Sequence, residues 1–259
     1  MTSSSEPVRL NAADRVLAIC EKGRHKSAQR GSTDVWGDVF GVAEQSPVEN
    51  QRLVANFLSA VGSELNAIDA AMRESSVPEQ LHKSSLARIK NAFSVGALNS
   101  KWDDHAGQQL TSDAIMSLRW IAYTLPSEST TASLADVEGI LVLLDELTVQ
   151  LAGDGIPPGL KLLLTKHAEG MRVAVQLFPV QGTASLSRAV RAMVADIQID
   201  QDEIRTATQQ GDPSQVESAL SRFGAVFHRT AEVAGDLDKL RKGTGLLLDG
   251  VAAIRLLLA

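Results

Sequence analysis

The sequence predicts an all-α protein, a multi-helix bundle of about nine or ten helices, and three observations indicate this class. Alanine, leucine, glutamine and arginine, which favour helices, fill the long segments. Aromatic residues make up only 4% of the 259 residues, and runs that alternate apolar with polar residues are scarce. Apolar residues recur instead every three or four positions. We expect either one bundle or two helical subdomains.

The first half of the chain contains five predicted helices. The clearest begins after Ser46, which is a good N-cap, with Pro47 at the first helical position and Glu49 completing a capping box. The five are expected from Asn11 to Cys20, over 32–44, from Pro47 to Arg73, from the residue after Ser76 to about Phe93, and from Thr111 or Ser112 to Leu125. Pro78 and Glu79 lie in the first turn of the fourth.

The second half contains longer and more regular helices. They are expected from Ser133 to Leu151, from Pro157 to Phe178, from Ala184 to Gln209, from Pro213 through Leu240 to a break at Gly243, and from Leu246 to Leu258. Asp212 is the predicted cap of the fourth of these helices. The polar stretch from Pro126 to Ser133 predicts a boundary. We therefore divide the chain into an N-terminal helical region over 1–126, a Ser/Thr-rich linker or loop over 127–133, and a C-terminal helical bundle over 134–259.

Composition excludes several classes of protein. The net charge of −6 argues against a general nucleic-acid coat protein, and the single cysteine, Cys20, excludes a disulfide framework and a cysteine zinc cluster. The sequence has no phosphate-binding P-loop, Rossmann glycine fingerprint or nucleophile elbow. Neither a secretory signal nor a membrane-spanning run is visible, so we expect a cytoplasmic protein. No cofactor is indicated.

The segment from residue 134 to about 195 resembles part of an uncharacterised family of bacterial all-helical proteins. The resemblance is carried by the helix start at Pro157 and Pro158, by leucines, and by the turn over 178–182 before Leu186. It implies a packing arrangement and brings no function with it. Such proteins are associated with genes of phage defence, so the resemblance implies a bacterial, defence-linked context.

Arg222 and His228 give the one spacing typical of a catalytic family. The pattern resembles the R-x(4–6)-H signature of the all-helical HEPN ribonucleases, in which an arginine and a histidine of two subunits cleave RNA without metal. A histidine can transfer the proton of a ribose hydroxyl, and an arginine can stabilise the phosphate. The neighbouring Phe223, Val226 and Phe227 favour instead a core-facing helix with both residues on its flanks.

The only dense basic stretch is the predicted anion-binding candidate. It spans residues 22–30 and consists of Lys22, Arg24, His25, Lys26 and Arg30, and Gly23 and Gly31 predict that it forms a loop. Phosphate or nucleic acid could bind over residues 22–30 through charge, although a solvated loop explains the same residues.

The segment from Lys101 to His105 combines Asp103, Asp104 and an imidazole, which are types that ligate metals. Adjacent side chains rarely converge on one ion, so we interpret Trp102 as the anchor of a loop and predict no metal site.

The sequence favours a non-enzymatic helical interaction protein that binds a protein partner, although it does not decide whether the chain is an enzyme. The leucine-rich segment Leu246–Leu258 suggests a homo-oligomer, because so many apolar side chains need cover. The first alternative is a metal-independent HEPN-like ribonuclease dimer that uses Arg222 and His228. The second is a membrane-perturbing effector that inserts residues 246–259.

Overall fold

A computed structural model describes residues 11–26, 29–42, 46–128, 132–199, 206 and 211–236 of the chain. Within these residues the predicted all-α class is confirmed. They form eleven α-helices and two short 3₁₀ helices, and their one β-type contact is an isolated bridge between Gly31 and Lys101. The predicted helix over Leu246–Leu258 lies outside the described residues.

The helices alternate with short connections. The α-helices are α1 Ala12–Arg24, α2 Ser32–Phe40, α3 Pro47–Glu74, α4 Lys83–Ala92, α5 Ala106–Gln109, α6 Ser112–Thr124, α7 Leu134–Ala152, α8 Pro158–Gln176, α9 Phe178–Gln181, α10 Thr183–Ile199 and α11 Pro213–Val233. The 3₁₀ helices span Glu79–Leu81 and Val95–Ala97.

The end of α1 corrects the prediction that the helix stops at Cys20 and that a loop follows. The helix continues through Gly23, which lies against two tryptophans of the core: a Cβ atom there would stand 3.3 Å from Cη2 of Trp102 and 3.5 Å from Cζ3 of Trp36. Glycine in a helix interior costs about 1 kcal/mol, and close packing offsets that cost. Arg24 therefore lies on the last turn of a helix and not in a loop.

Other helix limits also differ from the prediction. Helix α11 ends at Val233 and does not continue to Leu240, because Gly235 adopts the left-handed conformation (φ 72°). Helix α2 ends at Phe40 and not at residue 44, because Gly41 adopts the left-handed conformation (φ 66°) that terminates helices. Helix α4 begins at Lys83, several residues after the predicted start. The reason is that Pro78 has extended backbone (ψ 131°) and is followed by a 3₁₀ turn.

The chain forms two compact units. Unit 1 comprises residues 1–129 together with Pro179–Gln181, and unit 2 comprises 130–178 together with 182–259. The core of unit 1 is built around the buried Trp36, whose ring stacks on Phe93 at 4.7 Å and meets Trp102 edge-on at 5.0 Å between centroids. Aromatic contacts of this kind add to the free energy gained by burial.

Unit 2 is a bundle in which α7, α8, α10 and α11 surround one apolar core. Helices α7 and α11 run antiparallel, since Glu146 pairs with Arg222 near one end and Asp136 with Arg229 near the other. Phe223 is fully buried in this core. Burial of such side chains contributes roughly 1.5–3 kcal/mol each.

The N-terminus of α7 makes the stability of unit 2 sensitive to acid. Asp136 forms a capping box with Ser133 and an ion pair with Arg229 at 2.7 Å. The hydrogen bonds from Ser133 lead the effects that hold the pKa of Asp136 below its usual value. The folded state therefore gains stability above the unfolded pKa of about 4 and loses it as the pH falls through the lower folded pKa.

We expect the Asp136→Asn variant to lose less stability than the wild type when the pH falls from about 6 to about 3, since it lacks the carboxyl group whose pKa is lowered by folding. Chemical unfolding of the full chain at several pH values gives the slope of the free energy of unfolding against pH. Glu138→Gln is the matched control, because it removes a carboxylate from the same helix without touching the cap. Equal slopes for Asp136→Asn and wild type would contradict the assignment.

Candidate interaction surface

Helix α6 is apolar on two opposite sides. Its inner side is buried in unit 1 and carries Ala114, Ile115, Leu118, Ile121 and Ala122. Its outer side carries Met116, Trp120 and Tyr123, which are 60%, 43% and 76% exposed. Their spacing of four and three residues aligns them along the helix. We call these three residues the α6 face.

Neighbouring elements hold the α6 face in a fixed position. Thr111 caps the start of the helix, its Oγ1 accepting a hydrogen bond from the Ala114 N–H at 3.3 Å. At the other end, Nδ2 of the buried Asn11 donates to the carbonyls of Ala122 and Leu125 at 2.9 and 3.3 Å. Helix α6 also packs against α1 and α4. The exposed side chains therefore project from a rigid element.

Exposed apolar residues elsewhere in the described part of the chain are more scattered. Helix α7 carries two, Val142 and Val149, and α8 carries Leu162 and Val173, eleven positions apart. Single exposed apolar side chains are common on soluble proteins. Three large ones within eight residues of one helix, including a tryptophan and a tyrosine, form a patch typical of an interaction site.

Two arginines lie along the edge of α6 that borders α1. An Nη2 atom of Arg24 donates to Oγ of Ser112 at 2.6 Å, next to the first turn of α6. On α6 itself, Nη2 of Arg119 donates to Oε1 of Glu21 at 2.6 Å. Each guanidinium has five N–H donors, so both retain donors beyond these contacts. This edge of the α6 face therefore carries two guanidinium groups and one carboxylate, Glu21, and it retains hydrogen-bond donors.

The predicted anion-binding stretch is divided by the structure. Lys26 and Arg30 both pair with Asp38 of α2, at 3.4 and 2.5 Å. The hydrogen bond from Arg30 is the main cause of the lowered pKa of Asp38. Lys22 and His25 are exposed near the end of α1. Anion binding by this stretch stays a prediction, but Asp38 neutralises part of its charge.

The segment from Lys101 to His105 packs as predicted for its tryptophan. The Trp102 side chain is buried, and the backbone N–H of Trp102 donates to the backbone carbonyl of Arg30 at 2.8 Å. Nε2 of His105 lies 2.7 Å from the carbonyl oxygen of Asn91. Among the described residues, no three side chains of the histidine, cysteine, aspartate or glutamate type are grouped closely enough to hold a metal ion.

Arg222 and His228 both lie exposed on α11. Arg222 pairs with Glu146 of α7 at 3.0 Å, while Phe223, Val226 and Phe227 face the core. Six residues on a helix correspond to a net rotation of about 120° and a rise of about 9 Å, so the two side chains project in different directions. The ribonuclease hypothesis would need a second subunit to bring them together, and it stays a prediction.

A buried ionic cluster in unit 1 was not expected from the sequence. Nη2 of Arg15 lies 3.0 Å from Oε2 of Glu64, and its Nη1 lies 2.7 Å from Oε2 of Glu128. Its Nε donates to the carbonyl of Val180 at 2.9 Å. The side chains of Arg15 and Glu64 are 7% and 10% exposed. Burial disfavours the charge of Arg15, but its carboxylate partners outweigh that effect and raise its pKa.

The cluster also affects Asp14, whose pKa is raised, chiefly by burial, against the lowering effects of the Asn11 N–H and of Arg15. Three groups from distant parts of the chain accept hydrogen bonds from Arg15. Because the guanidinium is surrounded in this way, the arrangement is suited to holding segments together. We interpret it as a structural cluster.

No family model matches the chain, and no curated protein and no solved structure is detectably similar to it. The resemblance of residues 134–195 to bacterial helical proteins therefore stays a prediction. None of the described helices is both long enough and apolar enough to cross a membrane. The segment proposed for self-association or membrane insertion, residues 246–259, lies outside the described part of the chain.

The α6 face was not among the predicted features. The helix from Thr111 or Ser112 to Leu125 is predicted, but no prediction includes Met116, Trp120 and Tyr123 on its outer side. The signal was present, because they follow the same spacing as the inner residues, displaced by about half a turn. A helix apolar on both sides either is buried all round or presents one side to a partner.

Proposed function

We propose that this chain is a non-enzymatic helical interaction protein that binds another protein through the α6 face. The observation that carries the proposal is the alignment of Met116, Trp120 and Tyr123, all exposed, on one side of a helix whose other side is buried. Exposure of such side chains has a cost in water that contact with a partner removes.

The composition of the α6 face supports a protein partner. Tryptophan, tyrosine and methionine are enriched in protein interfaces, and tryptophan and tyrosine dominate the residues that carry most binding energy. Because α6 is held by its cap and by Asn11, a partner would not have to order it on binding. A helix of the partner packed against α6 would use such a straight apolar stripe.

Alanine at Trp120 or Tyr123 is expected to weaken partner binding strongly and to leave folding nearly unchanged. Truncation of a central aromatic in an interface typically costs at least 2 kcal/mol, a loss of about thirtyfold in affinity. Both side chains are exposed in the described structure, so the melting temperature should change by only a few degrees. Thermal unfolding of each variant measures the melting temperature, and the crosslinking experiment below measures partner binding.

The partner can be sought with a photo-crosslinking amino acid in place of Tyr123 in the full chain, expressed in its native cells. We expect a discrete protein adduct that disappears when Trp120→Ala is added. The matched control carries the same amino acid at Val149, which is as exposed as Tyr123 but lies on α7. Equal adducts at the two positions, or none at position 123, would contradict the proposal.

Self-association through Leu246–Leu258 is a separate proposal, which rests on the ten large or small apolar residues in that segment. Deletion of residues 246–259 is then expected to dissociate an oligomer or to lower the melting temperature. Analytical ultracentrifugation and thermal unfolding of the truncated chain test this. Unchanged sedimentation and melting temperature would refute it.

A further inference from the structure

We infer that the partner docks an acidic amphipathic helix on the α6 face, with two carboxylates about two helical turns apart along the edge that borders α1. This inference rests on the proposed function and specifies the partner's chemistry. It follows from the unequal charge of the two edges of the α6 face.

The edge toward α1 carries the two guanidinium groups described above. Arg24 is exposed and contacts the neutral Ser112 hydroxyl, and among the described residues no carboxylate pairs with it. The partial positive charge at the N-terminus of α6 lies beside it. Its charge is therefore available to an incoming carboxylate at this end of the face.

Arg119 supplies the second positive group. It is half exposed and shares one hydrogen bond with Glu21, using Nη2. Its position between Met116 and Tyr123 in the sequence places it at mid-length of the α6 face. Its remaining N–H groups can donate to a second carboxylate in the fork geometry that guanidinium favours.

The spacing of these two groups sets the spacing required in the partner. Ser112, which holds Arg24, and Arg119 are seven residues apart, so they lie on the same side of α6 at a separation of about 10 Å. A partner helix that packs nearly parallel or antiparallel to α6 presents carboxylates at the same separation when they are also seven residues apart. The apolar side chains of the partner helix then lie between α6 and the axis of the partner helix.

The opposite edge differs, because Asp113 lies there. It is exposed and stands seven positions before Trp120, on the side of the face away from Arg119. A helix acidic on both edges would meet this carboxylate, so the partner's acidic residues belong on one edge. Asp113 also disfavours a polyanion such as RNA, whose phosphates would approach both edges of the face.

The test uses fluorescence anisotropy of a labelled helical peptide with leucines along one face and two glutamates seven residues apart on one edge. We expect it to bind the full-length chain about tenfold more tightly than the same peptide with glutamines. Salt should weaken the glutamate peptide more than the glutamine peptide. Trp120→Ala should weaken both peptides equally.

Charge reversal on the protein completes the test. Arg24→Glu should remove most of the preference for the glutamate peptide, whereas Arg52→Glu, on the exposed side of α3, should leave it unchanged. Melting temperatures verify that both variants fold.

Equal binding of the glutamate and glutamine peptides, or no binding of either, would overturn the acidic-helix inference. The crosslink at position 123 would still decide the proposed function independently. Two further results would also overturn the inference. The first is tighter binding of a single-stranded RNA than of the peptide. The second is a dimer of the chain that Trp120→Ala dissociates, since the occupant would then be a second copy.

Discussion

Replacement of Arg15 by methionine is expected to destabilise the protein by about 3–5 kcal/mol, because it breaks the buried ion pair with Glu64 while the Glu64 carboxylate stays buried. The variant also removes hydrogen bonds to Glu128 and to the Val180 carbonyl. Breaking a buried pair costs far more than the pair itself contributes, since the remaining charge stays desolvated.

Urea unfolding of the full chain measures the change. Arg52→Met is the matched control: its ion pair with Glu49 is exposed to solvent, so its loss should change stability only slightly. The double variant Arg15→Met with Glu64→Met should recover much of the loss, because no buried charge is then left over. If Arg15→Met proved no more destabilising than Arg52→Met, the cluster would have no structural role.

Alanine at Phe223 is expected to cost about 3–5 kcal/mol, whereas alanine at the adjacent Arg222 should cost less than about 1 kcal/mol. The contrast arises because Phe223 is fully buried in unit 2, while Arg222 forms an exposed ion pair with Glu146. The two variants thus compare the effect of core packing on stability with that of a surface ion pair, at neighbouring positions of one helix.

The same variants examine the ribonuclease alternative. If that hypothesis is correct, Arg222→Ala and His228→Ala should each abolish RNA cleavage in the presence of a chelator without lowering the melting temperature. A wild-type chain that does not cleave RNA removes the hypothesis, and a large stability loss in Arg222→Ala would contradict the exposed position of that side chain.

Much of the fold could be predicted because the relevant signals are local. Ser46, Thr111, Ser133 and Asp212 are N-caps in the structure at the places where their side chains predicted helix starts. A cap depends on residues two or three positions away, which are visible in the sequence. The extension of α1 to Arg24 was missed because it depends on Trp102, which is distant in sequence and packs on Gly23.

The functional residues divide in the same way. The α6 face is local and could have been recognised from the spacing of Met116, Trp120 and Tyr123. The Arg15 cluster could not, because Glu64 and Glu128 are 49 and 113 positions away in the chain. Glu128 lies in a polar stretch that predicts only a boundary, and no pattern in a single sequence marks it as the partner of Arg15.

The inclusion of Pro179–Gln181 in unit 1 has a consequence for the order in which the protein acquires its structure. During synthesis the ribosome releases residue 129 long before residue 180. The hydrogen bond from Arg15 to the Val180 carbonyl can therefore form only after some fifty further residues have been added. The hydrogen bond from the side chain of Gln181 to the Ala60 carbonyl is delayed in the same way. Unit 1 thus completes its last buried contacts only after all of α8 has left the ribosome, and its maturation is coupled to translation of the second half of the chain.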